Sequence, residues 1–354
     1  MTSFLTIGLM SGTSMDGLDI VLSKFDNEND QWRFSIENCK TYNYPEFWIE
    51  TLYNSKNLSG LELMIADKDL GTYFGERVQE FLSEFNINKN QIDFIASHGH
   101  TVFHQPEINL TTQIGCGQSI AKATGIPVIN DFRTKNVLAG GQGAPLVPIG
   151  DQLLFPGYNA CLNIGGFCNI SVKTKSHIVA YDVCPGNLPL NLYAQKSSFK
   201  YDFNGDIARE GEINRDLLVR LDELSFYQKK NPKSLGTEWL DNDFLVEIGD
   251  SVSNKDALRT LTEHISNQLA IAFDNHNLAN VLITGGGAKN TFLIDLLRSK
   301  TSTKIQIPEI AIVDFKEALI FGFLGVLYSL KIPNSLASVT GSKEDIIGGT
   351  FHSP

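Results

Sequence analysis

Hydrophobic residues along the first part of the chain recur at two spacings, which predict strands and helices of a mixed α/β protein. Apolar runs predict paired strands over Phe4–Met10 and Leu18–Phe25, followed by a third strand over Trp32–Tyr42. Apolar residues three and four positions apart predict a helix within residues 57–85. The next predicted elements are strands at residues 92–97 and 126–130 and a helix at residues 117–124.

The same arrangement begins again in the second half of the chain. Strands are predicted over Ala160–Ile164, Phe167–Val172 and Ile178–Asp182, with a tight glycine turn between the first two. Helices and strands then alternate, which is typical of parallel crossovers. The predicted helices are 187–196, 214–224, 255–275, 289–299 and 315–330, and the predicted strands are 281–284 and 304–308. The recurrence of a hairpin plus a strand indicates a diverged internal duplication.

A stretch rich in glycine and proline, Leu138–Pro148, lies between the two halves and is unsuited to a helix or strand. We interpret it as the crossing between two domains. The prediction is an N-terminal α/β domain of residues 1–135 and a C-terminal α/β domain of residues 136–354, whose last residues can return to the N-terminal domain. A chain of 354 residues also exceeds what one hydrophobic core usually serves.

Composition argues against several classes of protein. Hydrophobic residues make up 42% of the chain and charged residues 19%, which is typical of a globular protein. The net charge of −11 and the lack of a long basic run argue against nucleic-acid or membrane partners. Five cysteines without a Cys-x-x-Cys spacing, and a sequence without a visible leader or membrane-spanning run, lead us to expect a cytoplasmic protein.

Three glycine-containing turns carry the first candidate chemistry. One runs from Ser11 to Asp19, the second contains Gly165-Gly166, and Gly285-Gly286-Gly287 follows a third buried strand. Turns of this composition bring backbone N–H groups together in a concavity that attracts phosphate. Together they predict a nucleotide held between two half-molecules, whereas each alone is also typical of a hairpin or of close packing.

Carboxylates near these turns are candidate metal ligands and a candidate base. Asp16 and Asp19, at the rim of the first turn, are suited to Mg²⁺ beside phosphates, although an Asp-Gly pair is also ordinary hairpin chemistry. Asp182 ends a predicted buried strand, where α/β sheets bind ligands. It is either a general base or the N-cap of the helix beginning near Asn187, and the sequence leaves both interpretations open.

Further polar residues lie where predicted strands end. Arg133 either binds a carboxylate through two hydrogen bonds or pairs with a neighbouring acid. His98, His100 and His104 have a spacing that matches none of the usual metal-ligand patterns. Glu317 is an acid near the start of an otherwise apolar helix, where it either lines a cleft or meets a cation.

The turn from Ser11 to Asp19 resembles the phosphate loop of the anhydro-N-acetylmuramic acid kinases, and further motifs of that family recur in order along nearly the whole chain. They are Ser97-His98-Gly99-His100-Thr101-Val102, Thr112-Gln113-Ile114-Gly115, Asp131-Phe132-Arg133, Gly140-Gly141-Gln142-Gly143-Ala144-Pro145-Leu146-Val147-Pro148, Leu162-Asn163-Ile164-Gly165-Gly166, Thr284-Gly285-Gly286-Gly287-Ala288 and Glu317-Ala318. The resemblance implies a fold of the actin and sugar-kinase (ribonuclease H-like) type, with two related α/β domains flanking a nucleotide cleft.

The resemblance also implies an activity. Kinases of this family cleave the 1,6-anhydro bond of anhydro-N-acetylmuramic acid with water and phosphorylate the 6-oxygen from ATP with Mg²⁺, giving N-acetylmuramic acid 6-phosphate in peptidoglycan recycling. Asp182 matches the family's base, and homodimers are usual. The implied nucleotide contacts are Ser11, Gly12, Thr13, Ser14, Asp16, Gly17, Asp19, Gly165, Gly166, Gly285, Gly286 and Gly287, with Mg²⁺ at Asp16 and Asp19. The implied sugar contacts are His98, Arg133, Asn187 and Glu317.

Three positions depart from the family's pattern. Cys116, Asn136 and Asn191 stand where the family usually has acids, while Asp182 and the first phosphate loop are kept. Loss of these acids can weaken a cation site, change the sugar or abolish turnover. Two alternatives therefore stay open beside the anhydro-sugar kinase. One is a kinase of a different amino or anhydro sugar, and the other is a nucleotide-binding regulator without turnover.

Overall fold

Residues 2–12, 15–249 and 252–354 are described by a computed structural model in which the chain divides into two units. Unit 1 comprises Met1–Phe155 and Phe315–Pro354, and unit 2 comprises Pro156–Asp314. Each unit has a mixed β-sheet accompanied by helices, so the predicted α/β class is confirmed.

Unit 1 is built on the N-terminal hairpin. Its strands are β1 (Thr2–Ser11), β2 (Gly17–Glu28), β3 (Gln31–Asn43), β4 (Phe94–Ser97), β5 (His100–Gln105), β6 (Leu110–Ile114), β7 (Val128–Asn130) and β13 (Thr350–His352). Its helices are α1 (Glu46–Tyr53), α2 (Gly60–Glu84), α3 (Gly117–Thr124), α4 (Thr134–Leu138), α5 (Val147–Leu154), α13 (Ala337–Thr340) and the greater part of α12 (Ile310–Ser329). The main sheet has the order β13-β7-β4-β1-β2-β3, and β5 pairs with β6 separately.

Helix α2 shows how the local sequence produces the core of unit 1. Ser59 and Glu62 form a capping box that fixes where the helix begins, because each side chain satisfies a backbone N–H of the other residue. The buried side chains of α2 recur three and four positions apart and pack with those of the sheet in one cluster. Those of the helix are Leu70, Phe74, Val78 and Phe81, and those of the sheet include Ile7, Leu9 and Ile20.

Unit 2 repeats the arrangement of a hairpin followed by alternating helices and strands. Its strands are β8 (Ala160–Ile164), β9 (Phe167–Lys173), β10 (Ile178–Pro185), β11 (Asn280–Thr284) and β12 (Lys304–Gln306). Its helices are α6 (Asn187–Lys196), α7 (Asp206–Arg209), α8 (Arg215–Asp222), α9 (Thr237–Trp239), α10 (Asn254–Asn275) and α11 (Thr291–Lys300). The sheet order is β10-β9-β8-β11-β12, with β8, β11 and β12 parallel and the β8-β9-β10 pairs antiparallel. Helix α10 covers much of this core.

The division between the units differs from the predicted boundary after residue 135. Residues 136–155 belong to unit 1, where Asn136 is buried and bonds to Ser335 and Thr340 near the end of the chain. The stretch Leu138–Pro148, predicted to cross between domains, runs from the last residue of α4 into the first residues of α5, and both helices are in unit 1. Residues 315–354 return to unit 1, which is the return that the prediction allowed.

Some strands and helices of the structure differ from those predicted from the sequence. The strand predicted to end at Asp182 continues to Pro185 through a bulge between Asp182 and Cys184, so Asp182 lies within β10 rather than at its tip. The β5–β6 hairpin and α1 were not predicted. Within the described ranges, none of the helices combines the length and the apolar character that a membrane crossing needs.

Candidate active site

Ser11, at the end of β1, is held by two side chains of unit 1. The Tyr44 hydroxyl donates to Ser11 Oγ at 2.7 Å, and Oγ lies 2.9 Å from His100 Nδ1. Burial lowers the pKa of His100 to about 4 and raises that of Tyr44, so both are neutral near pH 7. The Ser11 hydroxyl is therefore held by two neutral side chains at the start of the first turn. Thr13 and Ser14 lie outside the described residues.

The far side of the first turn contains the candidate Mg²⁺ ligands. A Cβ at Gly17 would lie 2.5 Å from the Tyr42 carbonyl oxygen, so glycine allows β2 to approach β3 closely. Asp19 Oδ1 accepts a hydrogen bond from the Thr41 hydroxyl at 2.5 Å, while Asp16 is exposed. Two carboxylates fit Mg²⁺, which takes one or two protein carboxylates together with phosphate and water. Among the described residues, no group of three or more acids, histidines or cysteines is arranged to hold a metal.

The buried His98 and the half-buried Arg133 form a hydrogen-bonded pair in unit 1. Arg133 Nε and Nη2 lie 3.1 and 2.8 Å from His98 Nε2, and Arg133 Nη1 donates to the Gly143 carbonyl at 2.7 Å. His98 Nδ1 donates to the Gly99 carbonyl at 2.9 Å. Burial and the charge of Arg133 hold the pKa of His98 well below its usual value, so its ring is neutral. Burial also lowers the pKa of Arg133 to about 10, which leaves it a cation near pH 7.

Helix α12 brings two charged residues to unit 1. Lys316 Nζ lies 3.0 Å from Asp151 Oδ1 of α5, and both side chains are at most 3% exposed. Burial raises the pKa of the neighbouring Glu317 carboxyl, while the positive charges of Lys316 and Arg133 oppose that rise. Among the predicted sugar contacts, Arg133 is thus hydrogen-bonded to His98 and lies within electrostatic reach of Glu317. The ion pair of Lys316 with Asp151 was not predicted, because each side chain alone has no distinctive pattern.

In unit 2, the Gly165-Gly166 turn is bonded to the start of α6. The backbone N–H groups of Gly186 and Asn187 donate to the carbonyls of Gly166 and Gly165, each at 2.8 Å, and the Asn187 side-chain amide donates to the Ile164 carbonyl. The Gly165 N–H donates to the Phe167 carbonyl at 3.2 Å, so it is not the bare amide that the sequence suggested. The structure thus brings Asn187 to this turn.

The third glycine turn packs on β8. Gly285 has φ +84°, and a Cβ there would lie 2.5 Å from Asn163 Oδ1. A Cβ at Gly287 would lie 2.1 Å from the Ile164 side chain, whereas one at Gly286 would meet only the Asn187 amide, at 3.4 Å. Close packing therefore accounts for Gly285 and Gly287, and Gly286 is the more open of the three.

Asp182 is partly exposed and is held at two points by the segment that follows α8 in unit 2. Its Oδ2 accepts a hydrogen bond from the Leu235 N–H at 2.8 Å, and its own N–H donates to the Lys233 carbonyl at 2.9 Å. Burial raises the pKa of Asp182, and the Leu235 hydrogen bond opposes the rise. Asp182 is not the cap of α6, whose N-cap is Gly186 without a capping side chain. The capping interpretation is therefore wrong. Asp182 is instead a carboxylate whose orientation is held by the Leu235 N–H.

The three departures from the family's pattern have different surroundings. Cys116 Sγ lies 3.0 Å from Lys68 Nζ. Burial raises the pKa of the Cys116 thiol, but the hydrogen bonds from Lys68 and Ser119 outweigh burial, so the pKa is lowered. Asn136 is buried and hydrogen-bonded on both sides of its amide. Asn191 occupies a half-buried position on α6.

A sequence model of the anhydro-N-acetylmuramic acid kinase family matches residues 4–353. The chain belongs to this family. It is 32% identical over 366 residues to the anhydro-N-acetylmuramic acid kinase of Hahella chejuensis (strain KCTC 2396), covering 98% of this chain and 97% of the relative. It is 34% identical over 361 residues to that of Vibrio vulnificus (strain YJ016), covering 96% of each chain.

Among solved structures, the chain is similar to component A of the (R)-2-hydroxyglutaryl-CoA dehydratase of Acidaminococcus fermentans. The TM-score is 0.48 and the identity 10%, with 89% of this chain and 95% of that chain covered. A likeness at this level adds nothing to the family assignment, which depends on the family match over residues 4–353 and on the two relatives.

Proposed function

We propose that this chain performs the reaction for which its family is named, as an ATP-dependent kinase of anhydro-N-acetylmuramic acid. Water opens the 1,6-anhydro ring, and the freed 6-oxygen receives the γ-phosphoryl group of ATP. The products are N-acetylmuramic acid 6-phosphate and ADP, and the process is cytoplasmic recycling of peptidoglycan. The observation that carries this proposal is a partly exposed carboxylate, Asp182, fixed by a backbone amide in a chain whose residues 4–353 match the family.

Asp182 is the proposed general base. The oxygen of water forms a bond to the anomeric carbon while the bond from that carbon to the bridging oxygen breaks. Because Oδ2 accepts the Leu235 N–H, Oδ1 is the oxygen that takes the proton of water. The bridging oxygen leaves as the nucleophile toward the γ-phosphorus, so no acid is needed to protonate it. ADP then leaves with the electron pair of the broken P–O bond.

Arg133, His98, Glu317 and Asn187 are the proposed sugar contacts. A guanidinium binds a carboxylate through two parallel hydrogen bonds, and the substrate carries one carboxylate on its lactyl group. His98 contributes by holding Arg133, since its Nε2 accepts from two nitrogens of the guanidinium. Glu317 is suited to accept hydrogen bonds from sugar hydroxyls or the acetamido N–H.

The first turn is the proposed phosphate site. Ser11, Gly12, Thr13, Ser14 and Gly17 would line the phosphates, and Asp16 and Asp19 would hold Mg²⁺. When bound, Mg²⁺ neutralises charge that develops on the transferring phosphoryl oxygens. In unit 2, Gly165, Gly166, Gly285, Gly286 and Gly287 are the proposed contacts of the rest of the nucleotide, among which Gly286 is the most open.

The test is to incubate the protein with ATP, Mg²⁺ and anhydro-N-acetylmuramic acid and to analyse the sugar by mass spectrometry. A product heavier by one water and one phosphoryl group, with equimolar ADP, is the expected result. A product that has gained only the phosphoryl group would contradict coupled ring opening. Turnover of N-acetylmuramic acid or N-acetylglucosamine but not of the anhydro sugar would favour the alternative kinase, and ATP binding without any ADP would favour the regulator.

Asp182→Asn is the matched variant for the proposed base. It preserves the acceptor of the Leu235 N–H but cannot take a proton, so kcat should fall by about 10²- to 10⁴-fold while ATP affinity stays unchanged. Turnover equal to that of the unchanged chain would overturn the assignment. We also propose a homodimer, which sedimentation equilibrium of the full chain would test through its mass.

A further inference from the structure

Asn136 lies at the centre of a buried polar cluster in unit 1. Its side chain has no solvent exposure, although it stands in α4 and is flanked by a loop rich in glycine. The amide nitrogen Nδ2 lies 2.8 Å from Ser335 Oγ, 2.9 Å from Thr340 Oγ1 and 3.3 Å from Ser342 Oγ. The carbonyl Oδ1 faces the other way. A buried amide with partners on both sides fixes the two segments that it joins.

The side-chain carbonyl of Asn136 is connected to Arg133 through Gly143. Asn136 Oδ1 accepts the Gly143 N–H at 2.8 Å, and the Gly143 carbonyl accepts from Arg133 Nη1 at 2.7 Å. Gly143 has φ +68°, a conformation that glycine adopts without strain. Asn136 thus anchors Gly143, the residue whose carbonyl Arg133 Nη1 contacts.

Arg133 has five N–H groups, and the described residues engage three of them. His98 accepts from Nε and Nη2, and Gly143 accepts from Nη1. The second hydrogens of Nη1 and Nη2 are then the two that a carboxylate of a ligand can accept. Where those hydrogens point depends on the Gly143 carbonyl, because a guanidinium is planar and its donors have fixed directions.

We propose that Asn136 is a positioning residue for Arg133, acting through Gly143, and that it thereby sets the affinity for the anionic sugar. This inference rests on the proposed function only for the identity of the ligand. The contacts from Asn136 to Arg133 belong to the chain itself. An amide carries this role as well as a carboxylate does, because the Gly143 N–H needs only an acceptor oxygen.

A purely structural role of Asn136 would depend on the other side of its amide. Loss of the contacts to Ser335, Thr340 and Ser342 would loosen the C-terminal segment from α4 without changing the Gly143 carbonyl. Ser335→Ala removes one acceptor of Asn136 Nδ2 and leaves Oδ1 bonded to Gly143, so it is the matched control.

The experiment compares Asn136→Ala, Asn136→Asp, Ser335→Ala and Arg133→Ala by the KM of the sugar, the KM of ATP, kcat and Tm. Asn136→Ala should raise the sugar KM about tenfold, as expected for the loss of one well-aligned hydrogen bond to a charged group, with the ATP KM unchanged. Asn136→Asp keeps the acceptor for Gly143 and should keep the sugar KM within about threefold, even if Tm falls. Ser335→Ala should lower Tm without raising the sugar KM.

A sugar KM that stays constant in Asn136→Ala, or that rises equally in Ser335→Ala, overturns the inference. Should Asn136→Ala fail to fold, Asn136→Ser decides, because its shorter side chain withdraws the acceptor from the Gly143 N–H. A tenfold rise of the sugar KM supports the role, and an unchanged sugar KM overturns it. NMR of the Arg133 Nε–H group gives a readout independent of turnover. Its signal should shift in Asn136→Ala and not in Ser335→Ala, and the reverse pattern overturns the inference. A chain that shows this shift but does not turn over the sugar contradicts the proposed function alone.

Discussion

Arg133 donates two hydrogen bonds to one nitrogen of His98. Nε and Nη2 of Arg133 both point at His98 Nε2, at 3.1 and 2.8 Å, while His98 Nδ1 donates to the Gly99 carbonyl. The ring is therefore the neutral tautomer with its hydrogen on Nδ1. A second proton on Nε2 would oppose two donors and place a positive charge beside the guanidinium, so one protonation state fits this pair.

His98 should consequently remain neutral across the physiological pH range. Burial, with the charge of Arg133 next in importance, lowers its pKa well below the usual value. We expect the ring ¹⁵N signals to keep the Nδ1–H pattern from about pH 8 to about pH 5, where an ordinary histidine titrates. Two-dimensional NMR of histidine-labelled protein tests this, with His98→Gln to assign the signals. A midpoint near the usual value would contradict a neutral His98 beside the Arg133 cation.

The same shift predicts how His98 affects stability. The folded pKa lies below that of the unfolded chain, so below about pH 6.5 the unfolded state binds the extra proton and the folded state does not. The free energy of unfolding therefore falls as pH decreases, and His98→Gln should make that fall less steep. Urea unfolding at several pH values measures the slope. An unchanged slope would show that His98 has the same pKa in the folded and the unfolded chain.

Asp182 should determine the acidic limb of the pH dependence of kcat/KM. Burial raises its pKa, so the limb should lie above the ordinary aspartate value of 3.8. The Leu235 N–H opposes the rise by binding the charged form. Leu235→Pro removes that N–H and should shift the acidic limb to higher pH. Leu235→Ala keeps the N–H and should leave the acidic limb at the same pH. A limb at the same pH in Leu235→Pro and Leu235→Ala would show that this hydrogen bond does not tune the base.

Much of the fold could be predicted because it depends on local patterns. The predicted bounds of Gly117–Thr124, Ala160–Ile164 and Asn187–Lys196 match those of α3, β8 and α6, where apolar spacing and flanking glycines coincide. The predicted domain boundary differs from the division of the units because glycine and proline reveal irregular backbone but not which core it packs against. Asn136, for example, is bonded in unit 1 to partners about 200 residues away.

The candidate site also contains residues that the sequence could suggest and residues that it could not. Asp182, Arg133 and Glu317 could be proposed from the sequence because each interrupts an apolar element or matches a family motif. Leu235 could not be found, because its contribution is a backbone N–H that lies 53 positions from Asp182 and leaves no trace in side-chain chemistry. Tyr44 could not be predicted for a related reason. An aromatic residue after a strand is common, and only the fold brings its hydroxyl to Ser11.

Gly17 should be intolerant of any side chain. A Cβ there would lie 2.5 Å from the Tyr42 carbonyl oxygen, and β2 and β3 would have to separate to admit it. We expect Gly17→Ala to lower the free energy of unfolding by about 1–3 kcal/mol. Gly60→Ala at the start of α2 is the matched control, because nothing lies within 4 Å of the added methyl group. Urea unfolding of both variants tests this, and equal stability would contradict the close approach.

Cys116 should be the most readily alkylated of the buried cysteines. Burial raises the pKa of its thiol, but the Lys68 ammonium at 3.0 Å and the Ser119 hydrogen bonds outweigh burial and favour the thiolate. Iodoacetamide reacts with the thiolate, so near pH 7 a time course followed by peptide mass spectrometry should show Cys116 labelled before Cys168 and Cys184. The latter is buried with its pKa raised, which makes it a slow internal reference.

Lys68→Met separates the effect of the charge from that of accessibility. Removal of the ammonium should slow labelling of Cys116 by about threefold to tenfold, because the thiolate fraction falls while the side chain stays in place. Lys122→Met, at an exposed position on α3, removes the same charge elsewhere in unit 1 and should leave the rate unchanged. Equal rates in the two variants would show that exposure alone governs Cys116, and that Lys68 does not bind the position at which the family usually has an acid.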